Sequence, residues 1–109
     1  MGEIPFEEFQ KLDLRIGKIL EAENITGSKN LLKIMVDFGT EKRQAVAGIS
    51  QYYKPEQVIG KEFMFILNLQ KRKLMGVESQ CMIFAAVEKN GNVALIKPEK
   101  DVEIGSKVG

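Results

Sequence analysis

The residues best suited to chemistry lie in one stretch, residues 68–86. It holds a small polar pair, Ser79 and Gln80, and three consecutive cations before them, Lys71, Arg72 and Lys73. A run of like charges is most often a solvated hairpin, which would explain the cations alone. Cations that hold phosphate, next to short groups that contact sugars or base edges, are typical of nucleic-acid binding. The stretch is therefore predicted to contact a nucleic acid, with Arg72 as the bidentate phosphate partner.

Other polar residues are candidates for the same site. Alternation along residues 31–38 places Lys33 on the outer face of a predicted strand, although an ordinary solvated lysine explains it equally well. Arg43 and Gln44 lie on the next predicted strand. Asn68 is either a hydrogen-bonded amide of the core or a site residue. The predicted loops of residues 24–30 and 70–79 lack aromatic residues on which bases could stack. Recognition of the shape and backbone of a structured RNA is therefore favoured over base stacking.

The composition excludes several classes of function. The chain has no histidine and one cysteine, Cys81, which rules out a conventional zinc site and histidine-based acid–base catalysis. Its glycines form neither a dinucleotide-binding nor a P-loop pattern, and no nucleophile is paired with a base. Cys81 is predicted to be a small core residue. We therefore expect no metal, no cofactor and no enzymatic activity.

The length and the composition of the chain indicate one globular domain, residues 1–109. The longest apolar run, residues 81–87, is far shorter than the roughly 20 residues of a membrane span. The N-terminus lacks a secretory pattern, and a lone cysteine favours a reducing compartment, so a cytoplasmic protein is expected.

The distribution of charge along the chain is uneven. The net charge is only +1, but residues 25–80 carry nine Lys or Arg against five Asp or Glu. This local excess fits a bounded binding site rather than general coating.

The element pattern that positions these residues is that of a small all-β barrel. Short predicted strands fall near residues 14–20, 31–38, 43–49, 63–69 and 80–87, and a short helix separates the third from the fourth. This is the order of an OB-fold, which binds oligonucleotides with strands 2–3 and the loops between strands 1–2 and 4–5. Those loops would be residues 24–30 and 70–79. An SH3-like barrel is the alternative, and the helical insert counts against it.

The two ends of the chain are predicted to extend this five-stranded barrel. Pro5 predicts a short N-terminal helix, Gly17 a bulge in the first strand, and Asn90-Gly91 a hairpin turn into a last strand. Phe6 and Phe9 share one helix face, and the tail carries Val102 and Ile104, and none of these has a clear place on a closed barrel. We therefore expect a homodimer in which residues 1–12 and 90–109 are dimerisation extensions.

Three segments closely resemble the tRNA-binding domain family: LDLRIGKI, KRQAVAGISQYY and NLQKRKLMGVESQCMIFAA. This OB-fold module occurs as free-standing proteins and as the C-terminus or beta subunit of methionyl-tRNA synthetases. It also occurs in yeast and animal synthetase cofactors and in a bacterial secretion-chaperone-like protein. The resemblance implies binding to the outer corner of folded tRNA, with little dependence on sequence, and homodimers among members without an appended domain.

Carried over residue by residue, the resemblance implies that tRNA is contacted by Lys33, Arg43, Gln44, Asn68, Arg72, Ser79, Gln80 and Met82. Lys71 and Lys73 are added to this predicted site because of their charge. The chain departs from the family at Gln70-Lys71, where Lys-Pro is usual, and at Cys81, where glycine is frequent. The favoured function is a tRNA-binding accessory protein, the free-standing beta subunit that partners a methionyl-tRNA synthetase catalytic chain. A peptide-binding chaperone of the same fold is the alternative.

Overall fold

The computed structural model describes residues 2–109 as a β-barrel with short helices. Its elements are α1 (Phe6–Gln10), β1 (Leu14–Asn24), β2 (Leu32–Asp37), β3 (Lys42–Ala47), α2 (Pro55–Val58), β4 (Glu62–Ile66), β5 (Arg72–Leu74), β6 (Val77–Ser79), β7 (Met82–Ile83), β8 (Ala85–Val87) and β9 (Val93–Leu95). The main sheet is antiparallel, in the order β3-β2-β1-β4-β7, and β5–β6 and β8–β9 form separate hairpins. The nearly closed five-stranded barrel confirms the predicted OB-like fold. No helix within residues 2–109 is long and apolar enough to cross a membrane.

The barrel interior is formed by the alternating apolar residues of the strands. Every second residue of β2 is buried, which confirms the outward orientation of Lys33. Phe38, just after β2, packs edge-to-face on Phe65 of β4, with ring centroids 5.4 Å apart. The predicted helix between the third and fourth strands is present as α2, whose Val58 is fully buried in the core.

β1 has an irregularity in its pairing with β2, but this register shift lies between Ile19 and Glu21 and not at Gly17, where a bulge was predicted. Gly17 has a different role. A Cβ at this position would lie 2.5 Å from Val36 Cγ1 and 2.6 Å from Phe38 Cε1. The glycine therefore permits the close approach of β1 to the core side chains of the neighbouring strand.

The predicted fifth strand, residues 80–87, is not continuous. β7 pairs with β4, and β8 pairs instead with β9 through the Asn90-Gly91 turn. The chain changes partner at Phe84, whose N–H donates to the carbonyl of Met64 and whose carbonyl accepts from Ile96. The loop predicted at residues 70–79 likewise contains its own hairpin, β5–β6.

The C-terminal tail has a place on its own barrel, which corrects the expectation that Val102 and Ile104 would have none. The Ile16 N–H donates to the Ser106 carbonyl at 2.9 Å, and the Gly105 N–H returns a bond of 2.8 Å to the Ile16 carbonyl. Val102 and Ile104 are both half-buried. Phe6, by contrast, is 68% exposed. Of the apolar residues predicted to lack a place on the barrel, Phe6 in the N-terminal helix therefore stays largely uncovered.

Candidate nucleic-acid interface

Hydrogen bonds close the barrel between β3 and residues 78–80, and most of these bonds involve a side chain. The N–H of Gln44 donates to Oε1 of Gln80 at 3.1 Å, and the N–H of Val46 donates to Oγ of Ser79 at 3.0 Å. In return, the Gln80 N–H donates to the Gln44 carbonyl at 2.8 Å, and Gln44 Nε2 donates to the Glu78 carbonyl at 2.8 Å. We call these four bonds the closure seam.

Ser79 and Gln80 make further hydrogen bonds besides those of the closure seam. Ser79 Oγ also donates its only proton to the Cys81 carbonyl at 3.1 Å. Gln80 Nε2 donates to the Glu78 carboxylate at 3.0 Å. A further ligand can still use one amide hydrogen of Gln80 and the remaining lone pairs. Both residues stay predicted tRNA contacts, but their first role in this structure is to hold the hairpin on the barrel.

Arg43 also contacts the closure seam. Its Nη1 donates to the Leu67 carbonyl at 2.7 Å and to the Gln80 carbonyl at 3.2 Å. Its Nε lies 3.0 Å from the carboxylate of Glu41, which also pairs with Arg15 at 3.6 Å. About a quarter of the side chain is exposed (26%). Most of its donors are therefore committed, and a direct phosphate contact by Arg43 remains a prediction.

Asn68 and Lys33 have simpler surroundings. Asn68 Oδ1 accepts from the Asp13 N–H at 2.8 Å, and its Nδ2 donates to the Lys11 carbonyl at 2.6 Å, so the amide ties the segment that follows α1 to the chain leaving β4. Asn68 is exposed, which excludes a core amide. Lys33 pairs with Glu23 at 3.5 Å on the barrel surface. Because such exposed pairs are weak, a phosphate could replace Glu23 at small cost.

The cations of the hairpin are exposed. Arg72 and Lys73 lie on β5 opposite Ser79 and Glu78, and Lys71 precedes them. Within residues 2–109, the ion pairs are made by other cations, namely Lys11, Arg15, Lys33 and Arg43. Three unpaired charges on a hairpin that the closure seam holds in place can meet phosphates without first breaking an interaction.

The tip of this hairpin reaches the other predicted binding loop. Met75 adopts a left-handed conformation with φ of 52°, and Gly76 follows with φ of 78°. The Met75 Cε lies 3.7 Å from the position that a Cβ on Gly27 would occupy. The loops of residues 24–30 and 70–79 therefore meet at their tips. The sequence carried no signal for this contact, because it depends on how the folded barrel places two loops that are far apart in the chain.

A cavity of about 310 Å³ opens beside the hairpin, between the chain leaving β4 and the start of β7. Two apolar side chains stand at its rim, Leu69 at 47% exposure and Met82 at 46%. Met82 was a predicted site residue, whereas Leu69 and Gln70 were not. Leu69 was missed because its alternation with Leu67 predicted a continuing strand, and β4 ends at Ile66.

Cys81 lies at the floor of this cavity and is buried. Burial raises the pKa of its thiol to about 12, and the neighbouring Arg43 charge offsets only part of that rise. The thiol is therefore neutral at physiological pH and is not a nucleophile. This agrees with the expected small core residue.

Comparison with known proteins identifies the family. A family model described as a putative tRNA binding domain matches residues 14–107. The methionine–tRNA ligase of Methanocaldococcus jannaschii is 52% identical over 108 residues, which are 99% of this chain and 17% of that protein. The chain thus spans less than a fifth of the length of the curated relatives that it matches.

Solved structures agree with this relationship. A MetRS related protein from Pyrococcus horikoshii is 39% identical, with a TM-score of 0.95 over 100% of both chains. The chaperone CsaA from Bacillus anthracis is 29% identical, with a TM-score of 0.89 over 99% of this chain and 100% of that one. The chain therefore belongs to the family of putative tRNA-binding domains, whose members are binding modules and not catalytic ones.

Proposed function

We propose that this protein binds folded tRNA with the β5–β6 hairpin and the outer face of β2 and β3. One observation carries the proposal. Lys71, Arg72 and Lys73 are exposed and, among residues 2–109, unpaired, on a hairpin that Ser79 and Gln80 fix to the barrel. Fixed, free cations favour a polyanion of defined shape, because no ordering of the loop is needed on binding. The family assignment names tRNA as that polyanion.

The finer role is that of an accessory protein acting beside a methionyl-tRNA synthetase catalytic chain in the cytoplasm. The matched ligases carry the related segment as a small part of a much longer protein. As a free-standing beta subunit, this chain would hold the outer corner of the tRNA while the catalytic chain acts elsewhere on it. The similarity to a MetRS related protein over the full length of both chains supports this arrangement.

A homodimer is part of the same proposal. The rings of Phe6 and Phe9 stack with centroids 6.0 Å apart, and Phe6 is largely exposed. Next to them, a cavity of about 340 Å³ lies between α1 and the C-terminal residues 107–109. Residues 1–12 and 90–109 would form a twofold interface there, which would cover Phe6 and double the cationic surface.

The experiment that tests the function is a pair of titrations with the whole protein. Filter binding with total tRNA measures RNA affinity, and fluorescence anisotropy with a labelled unfolded polypeptide measures peptide affinity. We expect a tRNA complex that tightens as salt is lowered, and weak or no polypeptide binding. The chaperone alternative is favoured by the similarity to CsaA and by the exposed Leu69 and Met82. Tight polypeptide binding without a tRNA complex would establish that alternative instead.

A further inference from the structure

We propose that the cavity beside the hairpin, lined by Leu69, Gln70, Arg72 and Met82, holds one unstacked nucleobase of the bound RNA. The proposal rests on the proposed function and adds a base-binding pocket to phosphate contacts that carry no sequence information by themselves. The binding loops have no aromatic side chain on which a base could stack. In this proposal the Leu69 and Met82 side chains contact the base instead.

The walls of the cavity suit a flat apolar ring. Leu69 and Met82 stand at the rim, each about half exposed, and Val46 and Cys81 form a buried floor. Both faces of a nucleobase are apolar, and a methionine thioether packs well against a ring. In the protein alone, both rim side chains are partly exposed to water. A ring inserted between them would remove that apolar surface from water, which is favourable.

The polar groups of the cavity suit the edge of a base. Within residues 2–109, the side chains of Gln70 and Arg72 make no hydrogen bond, and Gln80 retains one free amide hydrogen. The Gln70 amide and the Arg72 guanidinium can offer hydrogen-bond donors and an acceptor to the edge of a base. An aliphatic side chain in the same place could not use these groups. A cavity of about 310 Å³ is at the small end of the range for ligand pockets, so it fits one ring system.

The charges around the cavity distinguish a nucleotide from an apolar peptide side chain. Arg72 lines the cavity, and Lys71 and Lys73 flank it in the chain, all three exposed. Every base in RNA is attached to a phosphate, so base and phosphate would use the walls and the cations together. A peptide leucine or phenylalanine would use the walls and leave three cations without a partner. The structure therefore favours a nucleotide as the occupant.

The test compares two RNAs and two variants of the full-length protein. One RNA is a blunt duplex, and the other is the same duplex with a bulge of four unpaired nucleotides. The double variant Leu69→Ser, Met82→Ser removes the rim without altering charge. Its matched control, Tyr52→Ser, Ile59→Ser, removes two similarly exposed apolar side chains elsewhere. Wild type should bind the bulged RNA more tightly than the duplex. The rim variant should bind the bulged RNA roughly tenfold more weakly than wild type does, with unchanged affinity for the duplex. The control variant should keep the wild-type preference.

A second measurement does not depend on how the variants fold. The bulge carries 2-aminopurine, whose fluorescence should change when wild type binds. If wild type binds both RNAs equally and the fluorescence is constant, the pocket proposal is wrong and the proposed function stands. If wild type binds neither these RNAs nor tRNA, the function itself fails. If the rim variant has reduced affinity only for an unfolded polypeptide, the pocket takes a peptide side chain and the nucleobase proposal is overturned.

Discussion

The side-chain oxygen of Gln80 accepts a hydrogen bond from the backbone N–H of Gln44 at 3.1 Å, and the Gln80 N–H donates to the Gln44 carbonyl at 2.8 Å. A glutamine side chain thus takes the place of a second backbone carbonyl at the barrel closure. Ser79 and Gln80, which are predicted site residues, therefore also have a structural role. Experiments must separate an effect of their substitution on binding from an effect on folding.

Ser79→Ala and Gln80→Ala should each lower the free energy of unfolding by about 1–2 kcal/mol, because each leaves a backbone N–H of β3 without its acceptor. Urea denaturation followed by circular dichroism measures the change. The control is Lys73→Ala, an exposed residue of the same hairpin, which should stay within about 0.5 kcal/mol of wild type. Equal stability of wild type and all three variants would show that the closure seam contributes nothing.

Gly17→Ala should destabilise the barrel by about 1–3 kcal/mol, since the added Cβ would overlap the side chains of Val36 and Phe38. Gly48→Ala is the matched control, because a Cβ there meets nothing within 4 Å. The control should be neutral or slightly stabilising through its effect on the unfolded chain. Thermal unfolding of the two variants would contradict this account if both melted at the wild-type temperature.

The raised pKa of Cys81 predicts a stability loss at alkaline pH. The thiol ionises near pH 9.0 in the unfolded chain but only near 12 in the folded one, so above pH 9 the unfolded state binds fewer protons. Stability should therefore fall between about pH 9 and 12, by up to about 1.4 kcal/mol per pH unit from this group. Urea denaturation at several pH values should show this decline in wild type and a shallower one in Cys81→Ala. Parallel declines would show that the thiol ionises equally in both states.

Sedimentation equilibrium tests the proposed homodimer. Wild type at tens of micromolar should give twice the mass of one chain, and Phe6→Glu should give the mass of one, because a charge would be buried at the interface. Tyr52→Glu, which alters an exposed aromatic residue elsewhere, is the control and should remain dimeric. A single-chain mass for wild type would overturn the proposed dimer.

Much of the fold could be predicted from periodicity. The alternation of β2, the Pro55 helix start and the Asn90-Gly91 turn each have a local physical cause, and each is present in the structure. The break at Phe84 could not be predicted, because the apolar run 81–87 continues through it while its pairing partner changes from β4 to β9. Strand partners depend on the rest of the sheet and are not encoded in the run itself.

The candidate site was predictable in its charges and not in its hydrogen bonds. The three hairpin cations are exposed, because the burial of three adjacent charges would be too costly. The sequence predicts Ser79 and Gln80 only as ligand contacts, since a polar side chain in a loop has the same appearance whether it faces a ligand or closes a barrel. Their bonds to β3 join residues more than thirty positions apart.

The central claim is that Lys71, Arg72 and Lys73 hold tRNA phosphates, and the salt dependence of tRNA affinity tests it most directly. Replacing all three with alanine should weaken binding for every tRNA and reduce the log–log salt slope by roughly 0.7–0.9 for each phosphate that is no longer neutralised. The control, Lys61→Ala, Lys89→Ala, Lys100→Ala, removes the same charge from other exposed positions and should keep most of the wild-type slope. If the hairpin variant has the wild-type affinity and slope, the cations are a solvated surface and the account is wrong.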